Sequence, residues 1–426
     1  MNHTRAKFTR RSVLETAWRT MTTAGMGAVL GGLGAQKANA ARSNGRALVC
    51  IYLFGGNDAN NTIVPLFQYA SYAAARGELA IAADELLRVR TAAGQEEYGF
   101  HPSLSELQPL FQSGTMAVVG NVGSADGAPS IDPSLRYLRP GYALPGWAAE
   151  SAGVARLGEG SVVKDILNAL PEVGDLVRKV PGALTAAAPQ QPSPVYTGFP
   201  NPLAESRRTG NQTTGLAMLA PGVALPSQDR ARLAPEMARA AASLRTAFPE
   251  TGLGAQLYQV AGLLKAGRQF GMGNQVFFCS LGGFATRAMQ LEPHAALLKE
   301  LSAGMAAFYR ATEEMGISQN VTTFTDSEYS RTLQPNRSSG TEAAWGGHQL
   351  VLGGSVLGGD VYGRFPVLSP GGPDDVTGKG VFRPSQSKDQ YAATLATWYG
   401  LEYPELVRTI PRITSYAKPA LGFVAG

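Results

Sequence analysis

"ALVCIYLFGGNDANN", residues 47–61, decides how the chain is read. The run from Ala47 to Phe54 is near-continuously apolar, as a strand buried on both faces of a sheet must be. It stops at Gly55-Gly56, and the turn then presents Asp58 and Asn61. Open parallel sheets bind ligands at the carboxyl ends of their strands. Asp58 therefore stands as a metal ligand at the mouth of a site, or as an Asx-type turn residue that only closes a loop.

Working outward, "TMAVVGNVG" (115–123), "QVFFCSLGGF" (275–284) and "NVTTFTDSEYSR" (320–331) repeat the strand pattern, and "HQLVLGGSVLGGDVYG" (348–363) adds short strands between glycine turns. Helical spacing lies between them: Leu257, Val260 and Leu264; Leu297, Leu298, Leu301, Met305 and Phe308; Tyr391, Leu395 and Trp398. Strands alternating with helices predict an α/β fold with a largely parallel sheet. Residues 124–250 are rich in Pro, Ala, Gly and polar residues, and read as a loop-rich insertion or cap over the sheet edge.

The first forty residues read as an export signal. They hold the pair Arg10-Arg11 followed by Val13-Leu14, then a Gly-rich, mildly apolar run, then the small-residue site Ala38-Asn39-Ala40. That order resembles a twin-arginine signal cleaved after Ala40, with the translocase as the export partner and the periplasm or the exterior as destination. The run is too short for a membrane span, and no stable anchor is expected. The whole chain has 37 Lys+Arg against 32 Asp+Glu, but residues 1–40 carry six basic residues and one acidic. The remainder, 41–426, is balanced at 31 of each, so the basic pI belongs to the signal and gives no support to nucleic-acid binding. The remainder reads as a single domain. Its two cysteines, Cys50 and Cys279, read as separate buried thiols.

Three histidines remain after the signal: His101, His294 and His348. His101 reads as a cap near a helix start, and His294 as a surface or capping residue. The strand-end segments offer Ala285, Thr286 and Arg287; Asp326, Glu328 and Arg331; and, in "GTEAAWGGHQ" (340–349), Glu342, Trp345 and His348. Asp58, Glu328 and His348 together would suit one divalent cation. Glu328 and Arg331 have the spacing of a local salt bridge, and Asp374-Asp375 that of a turn.

"LFGGNDANNTIVP", "VFFCSLGGFATR", "TTFTDSEYSRTLQPN", "GTEAAWGGHQLVLGG" and "GGPDDVTGKGVFRPSQSKDQYAATLATWYGL" follow one another in order. Together they resemble the bacterial domain-of-unknown-function 1501 family, exported proteins related to alkaline phosphatases and sulfatases. The resemblance implies an alkaline-phosphatase-like sheet and a metal role for Asp58, within the family's G-G-x-D-x-x-N motif. It also exposes departures. Where the family shows Gly-Gly-Phe-Asp-Thr-His, this chain has Ala285 and Arg287. Where an Asp-His pair is usual, it has Glu342 and Ala343, and Gln349 follows His348 in place of a second histidine. The family's Ser-His segment has no counterpart in "DPSLRYLRPGYALPGW" (132–147).

A two-metal esterase needs about six ligands, and at least four are replaced. The expectation is an exported protein with a degenerate metal centre, non-catalytic or weakly active. It would bind an anionic small molecule or a periplasmic protein, with Asn61, Arg287, Arg331 and Trp345 as pocket residues. In this reading Asp58 pairs with Arg287 or holds at most one cation. The alternative is a phosphate- or sulfate-ester hydrolase working with a single cation on Asp58, Glu328 and His348.

Overall fold

The computed structural model describes residues 45–124 apart from 93 and 95, then 216–221, 227–268 and 273–425. The first forty residues, read above as an export signal, the segment 132–147 and the Pro-rich stretch 186–202 lie outside the described residues.

Thirteen strands are described. They are β1 (Ala47–Phe54), β2 (Ile63–Pro65), β3 (Leu87–Arg90), β4 (Glu97–Phe100), β5 (Met116–Gly123), β6 (Leu216–Pro221), β7 (Gln275–Gly282), β8 (Val321–Asp326), β9 (Ser330–Arg331), β10 (Ala343–Ala344), β11 (Gly347–Gly353), β12 (Val361–Tyr362) and β13 (Gln386–Ser387). The α-helices are α1 (Ala59–Thr62), α2 (Tyr69–Arg76), α3 (Gln108–Gln112), α4 (Ser227–Ala242), α5 (Gly252–Gly267), α6 (Leu291–Glu314), α7 (Lys388–Tyr399) and α8 (Tyr403–Thr409).

The central sheet runs β12-β5-β11-β8-β1-β7-β6, with β13 also on β5. β1 lies at its heart, parallel to β7 on one side and to β8 on the other. β11 runs antiparallel between β5 and β8, so the mostly parallel sheet has one reversed strand inside it. Residues of β1 alternate between two cores, as the period of two requires. Val49, Ile51 and Leu53 pack with Leu257 of α5 and with Leu298, Leu301 and Met305 of α6. Leu48, Cys50 and Tyr52 pack on the other face with Tyr391, Leu395 and Trp398 of α7. A mixed α/β sheet flanked by helices follows directly from that double burial.

Within 124–250, the described residues contribute to the sheet and its cover: β6 pairs antiparallel with β7 at the edge, and α4 packs against α5. Pro221 at the end of β6 is tolerated because it stands at the margin of the sheet. The two cysteines are free and buried. Cys279 is in register with Ile51, one residue from Cys50, so the two thiols belong to opposite cores.

At the end of β1 the chain turns through Gly55 and Gly56, both at positive φ (107° and 84°). A β-carbon at Gly55 would collide with the Ala285 backbone, and one at Gly56 with the Tyr329 ring. Glycine is the residue that fits both requirements, and the close approach brings Asp58 under the segments 284–291 and 327–341.

Candidate functional site

Asp58 is the N-cap of the short helix α1, and its Oδ1 accepts from the backbone N–H of Asn60 at 3.1 Å. Its Oδ2 accepts from the Arg76 guanidinium and from the Gln290 side-chain amide. Asp58 and Arg76 are both completely shielded from solvent. The guanidinium also donates to Asn61 Oδ1 and to the carbonyls of Thr332 and Leu333, each at 2.9 Å. The strand-end carboxylate thus has a cation partner within the protein, and it is Arg76 rather than Arg287. Arg287 lies exposed on the rim.

Gln290 extends the network. Its Oε1 accepts from the hydroxyls of Thr286, at 3.0 Å, and Thr341. Its backbone is set by a pair of loops zipped together, with Met289 N–H donating to Ser338 O at 2.9 Å and Gln290 N–H to Ser339 O at 2.8 Å. Met289 and Ser339 both take positive φ (44° and 52°), a conformation that costs non-glycine residues about 1–3 kcal/mol.

Two of the expected pocket residues are interior braces. Asn61 accepts from Tyr72 OH and Arg76 Nε, both at 2.9 Å, and donates to Leu79 O at 2.9 Å. Arg331 is 1% exposed, and its guanidinium donates to Thr341 Oγ1 at 3.1 Å, to Thr341 O and, at 3.4 Å, to Gly55 O. No carboxylate among the described residues pairs with it, so the local Glu328–Arg331 bridge is replaced by neutral acceptors. Desolvation lowers its pKa from the usual value. Neither side chain is open to a ligand. Trp345 is half-buried and donates through Nε1 to Ser124 O at 3.0 Å.

His348 stacks on Phe365 with ring centroids 3.8 Å apart, and its Nδ1 accepts from the backbone N–H of Asn121 at 3.0 Å. A backbone N–H can only donate, so Nδ1 carries no proton and the neutral ring carries its hydrogen on Nε2. Burial pushes its pKa down to about 3, which keeps the ring neutral. A zinc-type histidine has the reverse wiring: one nitrogen binds the metal while the other donates its N–H to an acceptor.

Glu328 accepts from Gly55 N–H at 3.1 Å. Lost hydration pushes its carboxyl upward, although the side chain as a whole is exposed and the effect is correspondingly weakened by solvent. Among the described residues no three His, Cys, Asp or Glu side chains form a group suited to a metal ion. The donors of the Asp58–Glu328–His348 set are wired elsewhere, and they do not fit a cation.

His294 is interior rather than on the surface. It is 1% exposed and bonds through Nε2 to Asn57 Oδ1 at 3.0 Å. Helix α6 begins at Leu291, three residues before it, and His294 shares a helical stripe with Leu298, Leu301 and Met305. That periodicity was the available signal. His101 caps Ser103 N–H through Nδ1 at 3.0 Å, and its ring meets His294 edge-on at 5.8 Å. Asp374 takes both arms of Arg364 at 2.7 and 2.8 Å, and Asp375 accepts four backbone N–H groups, from Gly371, Thr377, Gly380 and Val381. Both aspartates build the turn.

The class defined so far is a mixed α/β protein whose strand-end carboxylate is neutralised from within. Residues 204–379 match the model of a family described as a protein of unknown function (DUF1501), which supports the resemblance over that stretch. No curated protein and no solved structure matches the chain.

Proposed function

We propose that the chain is an exported, alkaline-phosphatase-like protein whose metal centre has become degenerate and which acts by binding a small anion rather than by hydrolysis. One observation carries the reading: the buried Asp58 carboxylate, the position a cation would need, is engaged by Arg76, Gln290 and the Asn60 N–H. A buried guanidinium supplies the compensating charge that an ion would have supplied. The carboxylate is wholly shielded from solvent beneath it. The tautomer imposed on His348 supports the same reading.

Elemental analysis of the full chain purified from its exporting cell, after exposure to zinc and magnesium, tests the proposal together with assays on aryl phosphate and aryl sulfate esters. The expected result is substoichiometric metal and no turnover. Stoichiometric metal, with ester hydrolysis that disappears in both Asp58→Asn and His348→Gln, overturns it in favour of the single-cation hydrolase.

A further inference from the structure

Beside His348 the cleft narrows to a small, partly open pocket lined by His348, Gln349, Lys388, Ser327, Tyr329 and Trp345, among others. The hydrogen bonds around it fix which groups are left to face an occupant. His348 takes a backbone N–H on Nδ1, so its Nε2–H is a donor. Gln349 is oriented just as firmly. Leu350 N–H donates to Thr325 Oγ1 at 2.9 Å, so that hydroxyl spends its hydrogen on Gln349 Oε1 at 2.8 Å. The Gln349 amide NH2 is then the end without a partner among the described residues. Lys388 is 5% exposed and directs two bonds to Asp326 Oδ1 at 3.0 Å and Ser327 O at 2.5 Å, which leaves a third N–H. It is also the first residue of the twelve-residue helix α7, whose N-terminus adds positive potential.

The acceptors on the walls are engaged. Asn57 Oδ1 meets His294 Nε2, Ser327 Oγ receives Asn57 N–H, and Asp326 holds Lys388 and Ser327 N–H. The Tyr329 hydroxyl can turn to donate. A water molecule here would bring two O–H groups to walls that chiefly donate. An anion needs donors alone.

We propose that this cavity is a halide site, taking one chloride ion between His348, Gln349 and Lys388. The proposal names the anion of the binding function above and rests on its reading of His348 as a donor.

Crystals grown in sodium bromide test it through anomalous scattering at the bromine edge. A bromide peak in the cavity is expected. Ordinary water or an empty cavity, with bromide confined to the surface or to no site, overturns it. In solution, thermal unfolding at constant ionic strength should show a midpoint a few degrees higher in chloride than in gluconate, which is too large to enter. Gln349→Glu keeps the acceptor for Thr325 but puts a carboxylate where the amide stood, so the chloride-dependent shift should vanish. A shift that persists in that variant counts against the site. Should Gln349→Glu fail to fold, the bromide experiment on the wild type decides alone. A peak at the zinc edge instead would sink the non-metal reading itself, and no peak at either edge would sink only the halide site.

Discussion

Arg76 reaches back 18 residues to the carboxylate of Asp58, and the ion pair they form is sealed from solvent on both sides. A buried pair of this kind is no simple stabiliser, because desolvating two charges offsets most of their attraction. Its effect is to fix an arrangement. The guanidinium ties Asp58 and Asn61, from the β1 turn, to the carbonyls of Thr332 and Leu333 across the site. The strand end is thereby held closed around Asp58.

Breaking either half should be costly. Asp58→Asn leaves the Arg76 guanidinium buried without a counter-charge, and Arg76→Met leaves the carboxylate so, each at about 3–5 kcal/mol. The double variant should lose less than the sum of the two, with a coupling of about 1–3 kcal/mol in urea unfolding. Additive losses would show that the two side chains do not act as a pair. Zinc uptake by Arg76→Met, where the wild type takes none, would identify the arginine as the ion's replacement.

The two arginines named from sequence should part company. Arg287 is exposed, and Arg287→Ala should change stability by no more than about 0.5 kcal/mol. Arg331→Ala removes two buried hydrogen bonds and a longer part-buried one and orphans the Thr341 carbonyl, so about 2–4 kcal/mol should be lost. Equal effects would contradict the enclosure of Arg331.

Acid should unfold the protein early. Burial pushes His294 and His348 down to about 3 and His101 to about 4, while in the unfolded chain each titrates near 6.5. The folded state therefore excludes protons that the unfolded state takes up. The stability tied to neutral imidazole is complete above pH 6.5 and is lost as pH falls toward 4 and then 3. The slope is up to about 1.4 kcal/mol per pH unit for each histidine. Between pH 6.5 and 5 the upward-shifted Glu328 carboxyl opposes the histidines, so urea midpoints of a Glu328→Gln variant in that window report the histidines. Flat midpoints there would refute their burial, and His101→Asn should reduce the slope by one histidine's share.

How far the fold could be read in advance depended on whether its signal was local. β1 was legible because burial on both faces leaves an unbroken apolar run, and the stripes of α5, α6 and α7 because each repeats within one helix. Asp58 was legible as a strand-end residue by its place after Gly55-Gly56. Its partners were not. Arg76 ends a short helix, where a cation is ordinarily a surface residue complementing the helix dipole, and Gln290 reaches Asp58 from 232 residues away. The reversed direction of β11 leaves no mark in composition. β6, "LAMLAP", was hidden by the Pro- and Ala-rich residues around it.

Cys50 and Cys279 provide a test of the sheet itself. With Cys279 in register with Ile51, Cys50 points into the core under α7 and Cys279 into the core under α5 and α6. Burial pushes both thiols well above their ordinary range, so neither supplies the thiolate that disulfide exchange or alkylation requires. Native protein should leave both thiols unlabelled over the time in which the unfolded chain reacts at two. Its electrophoretic mobility should be the same with and without reductant, even after passage through an oxidising compartment. Labelling should accelerate with urea in parallel with global unfolding, because β1 and β7 lie inside the central sheet and have no local route to solvent. A disulfide joining the two cysteines would require adjacent strands to slip by one residue, exchanging every side chain between the two cores, and finding one would overturn the register described here.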